Sequence, residues 1–460
     1  MCPAALLNDL LRSSSTGMIR LNDWSMHQRV WALAWPMLLS NITVPLLGLV
    51  DSAVVGHLDD PKHLGAVAIG ATLFTTIYWA FGFLRMGTTG LVAQAVGRQD
   101  GSANRTFLAQ ATIIALTLGT LMWLAQFPIL SLGLEWMGAD SDVHETARSY
   151  ADIRIFGAPA ALFNYVLVGW FVGNQDTRSP LIIMTVVNLT NLVLDLLFVI
   201  GFDLGAEGVA SATLIAEYTG VVLGLMLMQR HLKVIDGAIL PNSIRQLTAY
   251  RAIFTVNKYL FVRTASLLFM FAFFTSQGAR LGTDILSANA LLLNFLMLIS
   301  HALDGFAHAA EAICGRYAGA KDRDNFYRAM KSSALWSLLF ALALTLIFML
   351  GGHYILSLMT DIDSVLDVAH DYLIFIWVLP LIAVWSYFQD GVLVGTTQSK
   401  AMLQIMVVTV FGTFLPLWWL TQGLGNTGLW LSFSAAFFVR ALMGFWIFHR
   451  YHQRGAWFRG

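Results

Sequence analysis

The chain has 460 residues, of which 57% are apolar and only 12% are charged, and its formal net charge is zero. This composition indicates a polytopic membrane protein and argues against a soluble enzyme or a nucleic-acid binder. Two cysteines, Cys2 and Cys314, are too few for a disulfide framework or a cysteine-based metal site.

Apolar runs separated by short polar loops recur along the whole sequence. Runs of about 20 apolar residues are long enough to cross a bilayer as helices. Twelve spans are predicted, at residues 28–56, 64–96, 105–127, 148–172, 180–201, 207–229, 250–278, 284–317, 328–350, 368–394, 401–420 and 428–449. The expected fold class is an all-α polytopic membrane protein.

The basic residues predict the orientation of these spans. Few of them, such as Lys62, Arg148 and Arg280, fall in one set of loops, and most of the others fall at the termini or in the alternate loops. Because cytoplasmic loops carry the excess of Lys and Arg, both termini are expected in the cytoplasm. The sequence leaves open whether the chain starts at Met1, Met18 or Met26, so no function is placed before Trp24.

The two halves of the chain match at a constant offset of 222 residues. The matches pair Gly56 with Gly278, Ala66 with Ala288, Ala68 with Ala290, Gly97 with Gly319, Asp100 with Asp322, Gly173 with Gly395 and Arg178 with Lys400. This repeat predicts two pseudo-symmetric six-helix bundles around a central cavity, which is the usual substrate path of a transporter. The expected domains are an N-terminal cytoplasmic segment (1–25), a first lobe (26–230), a cytoplasmic linker (231–249), a second lobe (250–450) and a C-terminal tail (451–460).

Two residues of the first span are energetically unfavourable in a membrane-spanning helix. Pro36 removes a backbone donor and bends a helix, and Asp51 is a carboxylate at membrane depth. We expect Asp51 to bind a cation and Pro36 to let the helix bend when it does. The alternative is a kinked packing helix in which the aspartate is simply satisfied.

Polar residues also share one face of the fifth span. Asn188, Asn191 and Asp195 are spaced by three and four residues, and Thr213 on the sixth span could add a hydroxyl group. Such residues predict a hydrated pocket, although a single asparagine usually acts only as interhelical glue. Two carboxylates in one apolar pocket repel each other, and burial also favours the neutral form, so Asp51 and Asp195 are a plausible proton-accepting pair. The same oxygens could instead hold Na⁺.

Several motifs along the chain resemble those of one transporter family. They are Pro36-Met37, Asn41 and Leu49-Val50-Asp51 followed by Gly56-His57-Leu58; Ala93-Gln94-Ala95-Val96-Gly97; Gly173 to Pro180; Gly315 to Ala320; Leu303-Asp304-Gly305-Phe306; and Asp390-Gly391. Together these resemble the multidrug and toxic compound extrusion (MATE) family, in particular its DNA-damage-inducible (DinF) branch.

The resemblance implies an inner-membrane antiporter, not an enzyme, that exports amphiphilic, often cationic drugs in exchange for H⁺ or Na⁺ by alternating access, without a further cofactor. It implies that Asp51, Asn191, Asp195 and Thr213 form the cation site of the first lobe, with H⁺ preferred over Na⁺ by analogy with the branch. Asn188 is added from its spacing alone. A monomer in the lipid bilayer is expected.

The second half lacks the acidic pair, because Phe273 and Leu417 stand 222 residues after Asp51 and Asp195. Its acids Asp304 and Asp390 are possible secondary polar sites, and they could equally form salt bridges with Arg263 or Arg316. Two rival functions are a lipid-linked precursor flippase of the same superfamily and an intramembrane aspartyl protease. The flippase would be expected to have a basic cavity, and the protease requires a Gly-x-Gly-Asp motif that this sequence lacks.

Overall fold

The structure, a computed structural model, describes residues 24–55, 61–137, 141–239 and 241–458. Inside these ranges the side chains of residues 44–53, 55, 61, 141 and 142 are not described. The α-helices are α1 (Trp24–Val55), α2 (Pro61–Ala80), α3 (Phe83–Gly97), α4 (Gly101–Leu124), α5 (Gln126–Met137), α6 (Ser141–Arg154), α7 (Ala158–Gly173), α8 (Arg178–Asp195), α9 (Gly205–Leu232), α10 (Pro241–Arg245), α11 (Arg251–Leu281), α12 (Thr283–Gly319), α13 (Arg323–Met359), α14 (Asp363–Gly395), α15 (Ser399–Thr409), α16 (Leu415–Thr421) and α17 (Asn426–Arg454).

Short turns of other helix types complete the described chain. Tight 3₁₀ turns occur at Ile155–Gly157, Leu247–Tyr250, Gln422–Leu424 and Ala456–Phe458, and wider π-helical turns occur at Leu196–Gly201 and Val410–Phe414. The 3₁₀ turn at Ile155–Gly157 joins α6 to α7, and the two π turns directly follow α8 and α15.

The predicted fold class is confirmed. In the described part of the chain, eleven helical segments are long and apolar enough to cross a membrane, and each overlaps one predicted span. The remaining predicted span, 28–56, overlaps α1, although many of its side chains are outside the description. The sequence did not predict α5 (Gln126–Met137), which has only 12 residues and is too short to cross a bilayer.

The offset of 222 residues is visible in the backbone. Gln99 and Lys321 both have φ of 56°, and Gln175 and Thr397 have φ of 63° and 55°. These are left-handed conformations that non-glycine residues seldom adopt, so their recurrence in matched pairs is specific. The two halves therefore repeat the same turns after corresponding helices.

Two of these turns are followed by helices whose N-termini are capped in the same way. Asp100 accepts a hydrogen bond from the backbone N–H of Ala103 at 2.9 Å, and Asp322 accepts one from Asn325 at 3.1 Å. Each aspartate satisfies a backbone donor that the first turn of a helix leaves without a partner.

Close helix packing also repeats at this offset. A Cβ atom added to Gly169 would overlap the carbonyl oxygen of Arg85, and one added to Gly391 would overlap that of Ala307. The first contact joins α7 to α3, and the second joins α14 to α12. Glycine is therefore required in both halves so that the two backbones can approach each other.

The described chain divides into two compact units. One comprises the chain up to Leu38 together with Lys258–Gly460, and the other comprises Leu39–Asn257. The boundary between Leu38 and Leu39 falls inside α1, two residues after Pro36. The predicted lobes at 26–230 and 250–450, with the linker at 231–249, stay a prediction. The predicted terminal segments, 1–25 and 451–460, lie partly outside the described residues.

The beginning of α1 packs inside the first of these units. The Trp31 ring lies edge-on to Phe306 at 5.3 Å and to Trp336 at 5.1 Å between ring centroids. The guanidinium group of Arg29 donates a hydrogen bond to the Tyr317 hydroxyl at 2.9 Å. These contacts hold residues of α1 that precede Pro36 against α12 and α13.

Gly391→Ala should lower the thermal unfolding temperature of the purified protein in detergent. The added methyl group meets the α12 backbone, and such overpacking costs about 1–3 kcal/mol. Gly351→Ala is the matched control, since a Cβ atom there has no neighbour within 4 Å. Equal melting temperatures for the two variants would contradict the close-packing argument.

Candidate cation-binding site

The helix that carries most of the predicted site is α8. Asp176 accepts hydrogen bonds from the backbone N–H groups of Arg178 and Ser179 at 3.0 and 3.1 Å, which fixes the start of α8. Pro180 lies in the first turn, where its missing N–H has no intrahelical partner to lose. The apolar run that follows continues to Asp195, the last residue of α8.

Two of the predicted site residues, Asn191 and Thr213, join α8 to α9, and Asp195 lies one helical turn after Asn191 on α8. Asn191 and Asp195 are both fully buried, with no exposed surface. The Asn191 side-chain amide donates a hydrogen bond to the Thr213 hydroxyl at 3.2 Å, and that hydroxyl donates to the Val209 carbonyl at 2.9 Å. The spacing of polar residues on α8 thus corresponds to a contact with the hydroxyl group on α9.

A π-helical turn begins directly after Asp195. The N–H of Phe202 donates to the carbonyl of Leu197 at 3.0 Å, five residues earlier, instead of four as in an α-helix. Turns of this kind are frequent at functional sites, because they change the direction of the residues beside them. No periodicity in the sequence predicted it.

Asn188, added from its spacing, lies one turn before Asn191. Its side-chain amide donates a long hydrogen bond of 3.5 Å to the Thr43 carbonyl of α1. This contact places the second part of α1 beside α8 in the unit formed by Leu39–Asn257. Asp51 belongs to that part of α1, but its side chain lies outside the description, so its participation stays a prediction.

The chemistry of this contact suits a cation. The side-chain oxygens of Asn188 and Asn191 are buried and lack a hydrogen-bond donor among the described residues. Together with the buried Asp195 carboxylate, they supply oxygen atoms of the kind that a proton or a hard cation requires. The described residues contain no group of three or more His, Cys, Asp or Glu side chains suited to a transition metal.

The unit that contains the second half carries a different charge cluster. The same carboxylate oxygen of Asp390, on α14, accepts hydrogen bonds from Arg263 of α11 and Arg440 of α17. Asp304 lies within electrostatic reach of Arg263. Of the two interpretations left open for Asp390, pairing with Arg263 is therefore observed, and Arg440 is a second partner that the sequence did not assign.

The sequence also failed to pair Arg154 with Glu217. Their side chains form an ion pair of 3.1 Å between the end of α6 and the middle of α9, with only 8% and 15% of each side chain exposed. The available signal was that two opposite charges interrupt two apolar spans, the fourth and the sixth, but spacing along one helix does not identify a partner on another.

The comparisons with known proteins agree with this architecture. The MatE family model matches residues 36–197 and 260–420, one match in each half. A second model, described as Lipid II flippase MurJ, matches residues 138–278. The chain is 39% identical over 439 residues to DNA damage-inducible protein F of Escherichia coli (strain K12), covering 94% of each sequence.

Solved structures show the same fold. A MATE structure in the straight conformation has a TM-score of 0.84 and 20% identity, covering 98% of this chain and 99% of that one. A MATE structure in the bent conformation has a TM-score of 0.83 and 20% identity, covering 94% of this chain and 96% of that one.

The described part of the chain is helical, and eleven of its segments are long and apolar enough to cross a membrane. With one family match in each half, this is the architecture of a membrane transporter and not of an enzyme. The chain belongs to the MatE family, which confirms the family predicted from its motifs.

Asp390→Asn should destabilise the protein. Removing this charge takes away the carboxylate to which the buried Arg263 and Arg440 are both hydrogen-bonded, and breaking a buried pair costs about 3–5 kcal/mol. Asp152→Asn is the control, because Asp152 pairs with Arg148 on α6 with 47% of its side chain exposed, and such pairs contribute about 0–1 kcal/mol. Thermal unfolding in detergent measures both, and an Asp390→Asn variant as stable as Asp152→Asn would contradict the structural role of Asp390.

Proposed function

We propose that this protein is a secondary active multidrug efflux transporter that exports amphiphilic, often cationic compounds in exchange for inward H⁺. The observation that carries the proposal is the buried, oxygen-rich contact between Asn191 on α8 and Thr213 on α9, one helical turn from the buried Asp195, in a chain of the MatE family. We place it in the bacterial inner membrane as a monomer with both termini in the cytoplasm.

The proposed cation site consists of Asp51, Asn191, Asp195 and Thr213. A buried carboxylate costs free energy when it is charged, so a proton or Na⁺ that neutralises it binds favourably. Asn191 and Thr213 can respond to that change, because they share a hydrogen bond one helical turn from Asp195. H⁺ is the proposed coupling ion, and Na⁺ at the same oxygens is the alternative that the ion-gradient experiment distinguishes.

The first helix is the proposed moving part. With Asp51 ionised, α1 is straight and the first lobe accepts substrate from the cytoplasm or the inner leaflet. Protonation from outside removes the charge, α1 bends at Pro36, the cavity shrinks and the substrate leaves outward. Two observations support a hinge there: the compact units divide two residues after Pro36, and similar folds have been solved in straight and bent conformations.

Coupling follows from competition. A ligand shifts a conformational equilibrium only by its difference in affinity for the two states. The proton favours the bent state and the drug favours the straight state, so each must weaken the binding of the other. This reciprocity converts inward proton movement into outward drug movement.

The flippase alternative has one observation in its favour, which is the match of the flippase model to residues 138–278. The MatE model matches both halves of the chain, and the oxygen-rich contact includes an acidic residue, whereas a site for a lipid-linked anion would be expected to be basic. Drug antiport is therefore the function that the site supports best.

Asp51→Asn and Asp195→Asn should each reduce drug efflux driven by a proton gradient at least tenfold. Neither amide can carry the exchanged proton, and each is neutral like the protonated acid, so weaker drug binding and a loss of uphill transport are expected. The measurement is efflux of a fluorescent amphiphilic cation in proteoliposomes with an imposed pH or Na⁺ gradient. Asp152→Asn is the control, and wild-type efflux by Asp51→Asn would refute the assignment, while efflux that responds only to Na⁺ would identify Na⁺ as the coupling ion.

Pro36→Ala should slow transport while leaving drug affinity in the straight state close to that of the wild type. Alanine restores the backbone donor and favours an unbent helix. The rate of efflux and the drug dissociation constant are measured separately in the same proteoliposomes. Pro128→Ala, a proline in the first turn of α5, is the matched control. An unchanged efflux rate in Pro36→Ala would remove Pro36 from the mechanism.

A further inference from the structure

The ion pair of Arg154 and Glu217 adjoins the proposed cation site, because Glu217 follows the site residue Thr213 by four residues on α9. Arg154 ends α6, and its guanidinium group lies 3.1 Å from the Glu217 carboxylate and 5.3 Å from the centre of the Phe74 ring. A Cβ atom on Gly157 would overlap the free oxygen of the Glu217 carboxylate. The absence of a side chain at Gly157 therefore allows the carboxylate to reach Arg154.

Glu217 and Thr213 lie on one face of α9, one helical turn apart. Residues four apart on a helix have Cβ atoms about 5–6 Å from each other. The same face continues to Gly220, where an added Cβ atom would approach Val187 of α8 and the Asn164 side chain. A charge at Glu217 thus lies close to the Asn191–Thr213 hydrogen bond, where Asn191 is fully buried and only 15% of the Glu217 side chain is exposed.

The pair is not saturated with hydrogen bonds. Among the described residues, Arg154 Nε and the second Glu217 oxygen lack a hydrogen-bond partner, as does the buried hydroxyl group of Tyr78. The desolvation of a buried ion pair is offset only when the remaining donors and acceptors are satisfied. Stability alone is therefore a poor explanation for two opposite charges at this position.

The other ionisable groups around the pair are four tyrosines and one arginine: Tyr78 of α2, Tyr150 of α6, Tyr165 of α7, Tyr218 of α9, and Arg85 of α3, which acts on Tyr165. Tyrosine is neutral near pH 7, whereas arginine keeps its charge at every pH of interest. The charges near the cation site, beside its own carboxylates, are therefore the opposed pair of Arg154 and Glu217 and the constant charge of Arg85.

We propose that the Arg154–Glu217 pair sets the proton affinity of the cation site by holding two opposite charges in balance beside it. Both are positioning residues and neither is a ligand of the exchanged ion. This inference rests on the proposed function, since it requires a proton that binds at the site.

The sign of the effect follows from which charge remains. Glu217→Gln leaves the positive charge of Arg154, which opposes protonation of the cation site, so the site binds its proton only at a lower pH. Arg154→Gln leaves the negative charge of Glu217, which favours protonation, so the site binds its proton already at a higher pH. One unit charge about 10 Å away at an effective dielectric constant of about 20 shifts a protonation midpoint by roughly one pH unit.

The experiment measures ethidium binding to the purified full-length protein in detergent as a function of pH. The midpoint is the pH at which half of the binding is lost on acidification. We expect Glu217→Gln to lower the midpoint by about one unit and Arg154→Gln to raise it by about one unit, while the double variant stays within about 0.3 unit of the wild type. The pair Arg148→Gln with Asp152→Asn, an exposed ion pair on α6, is the matched control and should leave the midpoint unchanged.

Other outcomes overturn the proposal. Shifts of the same sign in both single variants, unshifted midpoints, or a double variant that stays displaced would each contradict charge balance. Loss of all pH dependence in Glu217→Gln would make Glu217 the proton acceptor itself, which also contradicts it. If Arg154→Gln does not fold, Arg154→His replaces it. At low pH its imidazolium keeps a positive charge beside Glu217. Its neutral form leaves the negative charge of Glu217 unopposed, so the midpoint must rise.

The failure of this inference can be distinguished from that of the proposed function. If wild-type ethidium binding does not depend on pH and a proton gradient drives no efflux, the proposed function fails. If the wild type shows both and the variants keep its midpoint, only the role of the Arg154–Glu217 pair is refuted.

Discussion

The constraint on which this structure depends is that a polar group inside an apolar helical unit needs a partner. In lipid the backbone meets this requirement by forming helices, which is why the described chain consists of long helices joined by short turns. Charged side chains meet it by pairing between helices: Asp390 with two arginines, and Arg154 with Glu217. The contact at Asn191 differs, because the side-chain oxygens of Asn188 and Asn191 lack a hydrogen-bond donor among the described residues. The proposed cation would be the partner of these oxygens.

Relations within one helix, or between matched halves, could be predicted from the sequence. The spacing of Asn191 and Asp195 placed them on one face, and the offset of 222 residues paired Asp100 with Asp322, which in the structure cap corresponding helices. Both depend on local geometry, namely a fixed rise per residue and a turn that must satisfy its own donors. The family motifs identified the family, and three of them, Ala93 to Gly97, Gly173 to Pro180 and Gly315 to Ala320, lie where helices end or begin.

Relations between helices could not be predicted in the same way. Whether Glu217 meets Arg154 depends on the rotation of α9 and on the lack of a side chain at Gly157, and neither leaves a periodic trace. The double pairing of Asp390 likewise depends on three helices. The two halves share a backbone plan but not these charges, because Ile376 and Val439 stand 222 residues after Arg154 and Glu217. A duplicated scaffold thus carries different chemistry in each half.

The wide turn after Asp195 limits how this region can change. A π turn holds one residue more than an α turn, so every side chain beyond it is rotated by about 100° from the direction that a continuous α-helix would give. Deleting a single amino acid between Leu196 and Gly201 would restore regular winding and re-aim the rest of the segment toward different neighbours. The number of residues in this short stretch is therefore constrained, although its individual apolar residues could be exchanged for others of similar size.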